Sequence, residues 1–139
     1  MAFDASSIDL QKDADSGAFC HLYNPVSGEY LYDGDESDDN AVGIYILGAQ
    51  SGKARDALNR MARKQNGKRA KSSDFDINKS EANAAEYLAE ITTGWKNLAF
   101  EGEEEFSQDL VQRMYQARPW IIQQLDAFVG DAANFTSRS

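Results

Sequence analysis

The chain has 139 residues, one domain's worth of sequence, and at that size a domain buries about two-thirds of its unfolded surface without a metal or disulfide framework. Hydrophobic residues at 42% and charged residues at 27% exclude wholesale disorder, and apolar runs of a few residues exclude a bilayer span, which needs about 20. The net charge of −9 argues against nucleic acid as the partner of the whole domain, because phosphate is repelled by most of such a surface.

That charge is divided along the chain. Residues 1–40 carry a balance of −9, residues 41–75 of +6 and residues 76–139 of −6. An acidic–basic–acidic chain attracts copies of itself while staying soluble. The single cysteine, Cys20, has no internal partner for a disulfide. The N-terminus MAFDASSIDLQKDADSG lacks the basic start and apolar core of a signal peptide, so a reducing cytoplasm is the expected compartment.

Residues 1–16 read as a mobile acidic arm with at most one helical turn, and order is expected from Gly17 onward. Ala18-Phe19-Cys20-His21-Leu22-Tyr23 is an aromatic, alternating strand. Asn24-Pro25-Val26-Ser27-Gly28 is a turn cluster, in which Pro25 presets φ and Gly28 tolerates a positive one. Glu29-Tyr30-Leu31-Tyr32 is the expected returning strand of a hairpin. The loop from Asp33 to Asn40 is too charged to bury. It leads to the best strand of the sequence, Ala41 to Leu47, with Val42, Ile44 and Ile46 on one face and Tyr45 and Leu47 on the other.

After Gly48 the period becomes helical. Ser51 is a cap for a helix bearing Ala54, Ala57, Leu58, Met61 and Ala62 as its apolar stripe, with Lys53, Arg60, Arg63 and Lys64 on the opposite side. Asn66-Gly67 is a stop, and Lys68 to Ser73 an exposed basic link. Asn78 and Glu81 resemble a capping box, and Ala84, Leu88, Ile91, Trp95 and Leu98 step at helical spacing, which predicts one long helix weakened at Gly94. Ser107 caps the next helix, with Leu110, Val111, Met114 and Tyr115 inward and Phe106 stapling onto Val111. Arg118-Pro119 ends it, and Pro119 opens a last helix from Trp120 to Val129 with Gly130 as its stop. The reading is an α+β fold, mainly α: a small N-terminal antiparallel meander followed by about four helices. It forms one domain over 17–135, with 136–139 a disordered tail.

Motifs for chemistry are weak. Gly48-Ala49-Gln50-Ser51-Gly52-Lys53-Ala54 imitates a phosphate loop, but three rather than four residues separate the glycines and alanine stands where a hydroxyl must hold magnesium. Asp33 and Asp35 suit a calcium loop, yet Asp38 occupies the position that needs glycine, which favours a solvated loop. Cys20 and His21 are strand neighbours and point to opposite faces, so they form no nucleophile–base pair. Glu103, Glu104 and Glu105 read as a solvated turn. No enzyme, metal or cofactor is expected. Lys53, Arg60, Arg63 and Lys64 are either a solvated face or a docking face for an acidic protein surface such as a neighbouring copy. Residues 51–71 lack the aromatics that nucleic-acid binding would add. Trp95 and Trp120 read as core or as partner anchors.

Four segments in one order carry a resemblance: Leu22-Tyr23-Asn24-Pro25-Val26-Ser27-Gly28-Glu29; Ile44-Tyr45-Ile46-Leu47-Gly48-Ala49; Thr92-Thr93-Gly94-Trp95-Lys96-Asn97-Leu98; and Tyr115-Gln116-Ala117-Arg118-Pro119-Trp120-Ile121 with Gln124-Leu125-Asp126-Ala127-Phe128-Val129-Gly130. The pattern resembles tail assembly chaperones of long-tailed phages over roughly residues 17–135. None of the four is catalytic, and their collinear order makes the likeness.

The resemblance implies an assembly factor for a non-contractile, siphophage-type tail, acting in the cytoplasm of the infected cell and absent from the finished virion. Such proteins bind and solubilise the tape measure protein, self-associate around it as a spiral homo-oligomer and recruit tail tube protein. Some are also made in a longer, frameshifted form. On this reading neither nucleic acid nor membrane is a partner. An amphipathic client helix docks in an apolar groove, for which the candidate residues are Trp120, Ile121, Leu125 and Phe128 on the last helix, with Trp95. The alternatives are a structural tail or head–tail connector subunit and a small protein-binding adaptor.

Overall fold

The computed structural model describes residues 2–5, 9–67 and 77–135, side chains at 63–67 and 77–82 excepted. Among these residues the fold is α+β and mainly α, with five α-helices and a three-stranded antiparallel sheet ordered β1-β2-β3. Within them, no helix is long and apolar enough to cross a membrane. The expected tail at 136–139, the basic link from Lys68 to Ser73 and the capping-box side chains of Asn78 and Glu81 lie outside the described residues.

The acidic N-terminal stretch holds a seven-residue helix, α1 (Leu10–Ser16), which corrects the expectation that order begins at Gly17. Asp9 caps it by accepting from Lys12 N at 3.0 Å. Ala14 is buried, and its carbonyl accepts from both Gly17 N and Gly48 N. A Cβ on Gly48 would stand 2.8 Å from that of Ala14, so the glycine is what lets the helix approach. Asp15 Oδ1 accepts from Gly52 N at 2.9 Å, a carboxylate at the positive end of α2 (Gly52–Gly67). A small apolar residue inside the charged run thus anchors it.

Strand β1 (Ala18–His21) pairs with β2 (Gly43–Ile46), Cys20 lying opposite Ile44. Between them the chain reverses at Asn24–Gly28. Asn24 Oδ1 accepts from Val26 N and Ser27 N, and Gly28 takes φ +78°. The expected returning strand 29–32 forms no regular ladder. It touches the outgoing chain at the Tyr23–Tyr30 bridge and through Leu31 N to Leu22 O, and Val42 N donates to Leu31 O.

The third strand comes instead from residues expected in a helix. Helix α3 (Ile77–Ile91) stops, and β3 (Thr92–Lys96) runs antiparallel to β2 with Trp95 opposite Ile44. Trp95 and Leu98 therefore do not continue the helical stripe. Thr92 and Thr93 are β-branched and Gly94 disfavours helix. The buried Thr92 hydroxyl also donates to Leu88 O at 2.6 Å at the helix end.

Ser51 Oγ caps α2 by accepting from Ala54 N, and Ala54 and Ala57 are buried as expected. Leu58 and Ala62 are exposed, so the apolar stripe of α2 is narrower than its spacing implied. Helix α4 (Gln108–Ala117) has Ser107 Oγ accepting from Leu110 N, and Leu110, Val111, Met114 and Tyr115 are all buried. Helix α5 (Pro119–Val129) begins on Pro119 and buries Ile121, Ile122, Leu125 and Val129. These residues close one core with Leu22, Ile44, Ile46, Leu88 and Ile91, beneath one face of the sheet.

Candidate functional site: the aromatic face of the sheet

Strand alternation sends Cys20, Ile44 and Ile46 into the core and leaves the other face of the sheet to rings. Phe19 lies opposite Tyr45, and His21 opposite Gly43. The Phe19 and Tyr45 rings meet at 5.0 Å between centroids. His21 stacks on Tyr30 at 4.6 Å and meets Tyr32 edge-on at 5.0 Å, and Tyr23 meets Tyr30 edge-on at 6.3 Å. All fall within the 4.5–7 Å range of favourable ring pairs.

Two features set the rings in place. A Cβ on Gly43 would lie 2.5 Å from Phe19 Cζ, so the Phe19 ring leans across the glycine toward Lys96, whose Nζ is 5.8 Å from the ring centroid. His21 Nε2 lies 2.8 Å from Leu31 O. A carbonyl only accepts, so Nε2 carries the proton and the imidazole is oriented by the backbone between Tyr30 and Tyr32. Tyr30 is 58% exposed and Tyr45 41%.

The acidic loop borders this face. Asp33 follows Tyr32 directly, Lys96 Nζ donates to Asp38 O at 2.9 Å and Asn97 Nδ2 to Asp39 O and Ala41 O. Among the described residues no group of three or more His, Cys, Asp or Glu side chains is placed to hold a metal ion. Cys20 lies on the opposite side of β1 from His21, and burial pushes its thiol from 9.0 up to about 12, away from the thiolate.

The residues expected to act lie on α2, β3 and α5. Lys53 is exposed on α2, and the Arg60 guanidinium engages both carboxylate oxygens of Glu90 on α3, so this cation faces its own chain. The side chains of Arg63 and Lys64 lie outside the described residues. In the expected client groove, Ile121 and Leu125 are core residues, 3% and 0% exposed. Trp120 and Phe128 are half-buried on α5, Phe128 packing on Phe135 at 5.3 Å. Trp95 sits on β3 rather than a helix. It shares the core-side face with Ile44, packs edge-on against Phe106 at 5.9 Å and donates to Glu104 O. Trp95, Trp120 and Phe128 pack against the core to which Ile121 and Leu125 belong.

No motif in the sequence marks the aromatic face. Its signal was the alternation Phe19, His21, Tyr23 followed by Tyr30, Tyr32 and Tyr45. Comparison with protein-family models, with curated proteins and with solved structures finds no match.

Proposed function

We propose that the protein is a non-enzymatic tail assembly chaperone of a siphophage-type tail. It would bind and solubilise the tape measure protein, self-associate around it and help recruit tail tube subunits in the host cytoplasm, without remaining in the virion. The observation that carries this reading is how the four resembling segments relate in space. Gln124 bonds the backbone of Tyr23, Ile44 pairs with Trp95, Thr92 meets Tyr115 at 2.8 Å and Ala49 N donates to Val129 O. Segments scattered over the chain thus touch one another, which supports reading them as parts of one unit.

Co-expression with the product of a very long helical gene encoded nearby is the test. The chain is expected to hold that product in the soluble fraction and to co-purify with it. An insoluble product, with the chain recovered instead from purified virions, would transfer the protein to the structural tail or connector class. The adaptor reading draws on the exposed aromatic face, which offers a protein-binding surface without requiring a phage client.

A further inference from the structure

We propose that the aromatic face of the sheet docks an extended, cationic peptide segment of a partner protein. The six rings of Phe19, His21, Tyr23, Tyr30, Tyr32 and Tyr45 form one connected set, with Tyr30 and Tyr45 well exposed. A connected exposed aromatic surface of this kind is characteristic of a binding site rather than of scattered surface residues.

The charge around it selects the occupant. Residues 33–40 contribute Asp33, Asp35, Glu36, Asp38 and Asp39 and no base. Ring faces attract ammonium and guanidinium groups through their quadrupole, and the chain already holds one such cation here, Lys96 over Phe19. Sheet aromatics also serve as stacking platforms for single-stranded nucleic acid, but those platforms are lined with cations to hold phosphate. Here the bordering loop is acidic, and a phosphate backbone is repelled. A peptide carrying arginine or lysine satisfies both the rings and the carboxylates.

The layout favours an extended chain. Phe19, His21 and Tyr23 recur every second residue along β1 and its continuation, about 7 Å apart. Side chains of an extended or polyproline II peptide recur at comparable steps, and proline-containing segments dock on aromatic surfaces with little ordering cost. This inference does not rest on the tail assembly reading, since its ligand is defined by chemistry alone.

The test uses the full chain and a fluorescein-labelled peptide of alternating arginine and proline, with alternating glutamine and proline as control, read by anisotropy. The arginine peptide is expected to bind saturably and the control at least tenfold more weakly. Tyr30→Ala with Tyr45→Ala should weaken binding tenfold or more at unchanged circular dichroism, and Tyr30→Phe should retain it. Asp33→Asn with Asp35→Asn should weaken binding and flatten its salt dependence. If the Tyr45 change unfolds the chain, Tyr30→Ala alone on the most exposed ring carries the same test. Equal binding of the two peptides, or full binding by the folded tyrosine variants, would overturn the proposal. So would tighter binding of an oligothymidine than of the arginine peptide. Dissociation of self-assembled chain by the tyrosine changes, with peptide binding untouched, would give the face to a second copy and overturn it as well.

Discussion

The Gln124 side chain holds both main-chain groups of Tyr23, accepting from its N at 3.0 Å and donating to its O at 2.8 Å across 101 residues of sequence. An amide on α5 thereby completes the hydrogen bonding of a strand continuation that has no regular partner. Gln124→Met keeps the length of the side chain and removes both bonds, leaving two part-buried backbone groups unpaired. The expected loss is about 1–3 kcal/mol, read as a lower urea midpoint with an unchanged slope. An unchanged midpoint would mean that water replaces the amide.

A second polar link lies deeper. The Thr92 hydroxyl donates to Leu88 O, so its bond of 2.8 Å to Tyr115 must be donated by the phenol. Thr92→Val removes the acceptor and strands a buried hydroxyl, at about 1–3 kcal/mol. Tyr115→Phe removes the other partner. The double variant should be less destabilised than the two single changes added together, with a coupling of about 0.5 kcal/mol or more. Strict additivity would show that the bond contributes nothing.

Thr92 also marks where local reading stops working. Ser51, Ser107 and Pro119 acted as their types predict, because caps and proline starts depend on immediate neighbours. The inward set Leu110, Val111, Met114 and Tyr115 was legible for the same reason: one helix has one period. Ala84, Leu88 and Ile91 keep that period too, and Thr92, Thr93 and Gly94 weaken the helix locally, but the strand that follows needs the edge of Gly43–Ile46, almost fifty residues earlier. Ala14 likewise needed Gly48 beside it before an acidic stretch became a docked helix. The candidate site was partly visible, since Phe19, His21 and Tyr23 alternate plainly. Tyr30, Tyr32 and Tyr45 join them only through turns and pairings that no local pattern states.

Gly43 is the structural key to that face. A Cβ there would be inside van der Waals contact of the Cys20 carbonyl oxygen and 2.5 Å from Phe19 Cζ. The ring can swing aside, but the carbonyl belongs to the β1–β2 ladder and cannot. Gly43→Ala is expected to destabilise by about 1–3 kcal/mol, the usual range for overpacking, and to disturb the Phe19 and Tyr45 ring resonances. Native-like stability with unshifted rings would show that the strand pair accommodates the methyl.

Stability should fall in alkali, and the sign follows from burial. Cys20 is held protonated up to about 12 in the folded chain against 9.0 for an ordinary thiol, and burial raises the Tyr115 and Tyr87 phenols above 10.0. Between the two thiol values the unfolded chain has lost a proton that the folded chain keeps. The stabilisation is therefore complete below pH 9 and declines above it by about 1.4 kcal/mol per pH unit for one group. Between pH 9 and 10 the thiol dominates, so Cys20→Ala should flatten that part of the curve. An identical slope in the variant would assign the loss to other groups.

Self-association through opposite charge must be tested around a pair that is already formed. Arg60 is occupied by Glu90 within the chain, so reversing its charge would perturb the α2–α3 packing as well as any contact between copies. Lys53, Arg63 and Lys64 are the better set, opposed in a neighbouring copy by residues 1–40 with their balance of −9. Exposed ion pairs contribute about 0–1 kcal/mol each, and 0.1 M salt screens charges beyond about 10 Å. Oligomers built this way should shrink as salt rises and as the chain is diluted. Head-to-tail contacts of this type leave open ends, so a range of sizes is expected rather than one closed ring. Charge reversal at Lys53, Arg63 and Lys64 together should yield smaller species in sedimentation with normal circular dichroism. Unchanged sizes in that variant at low salt would reduce the basic side of α2 to a solvated surface.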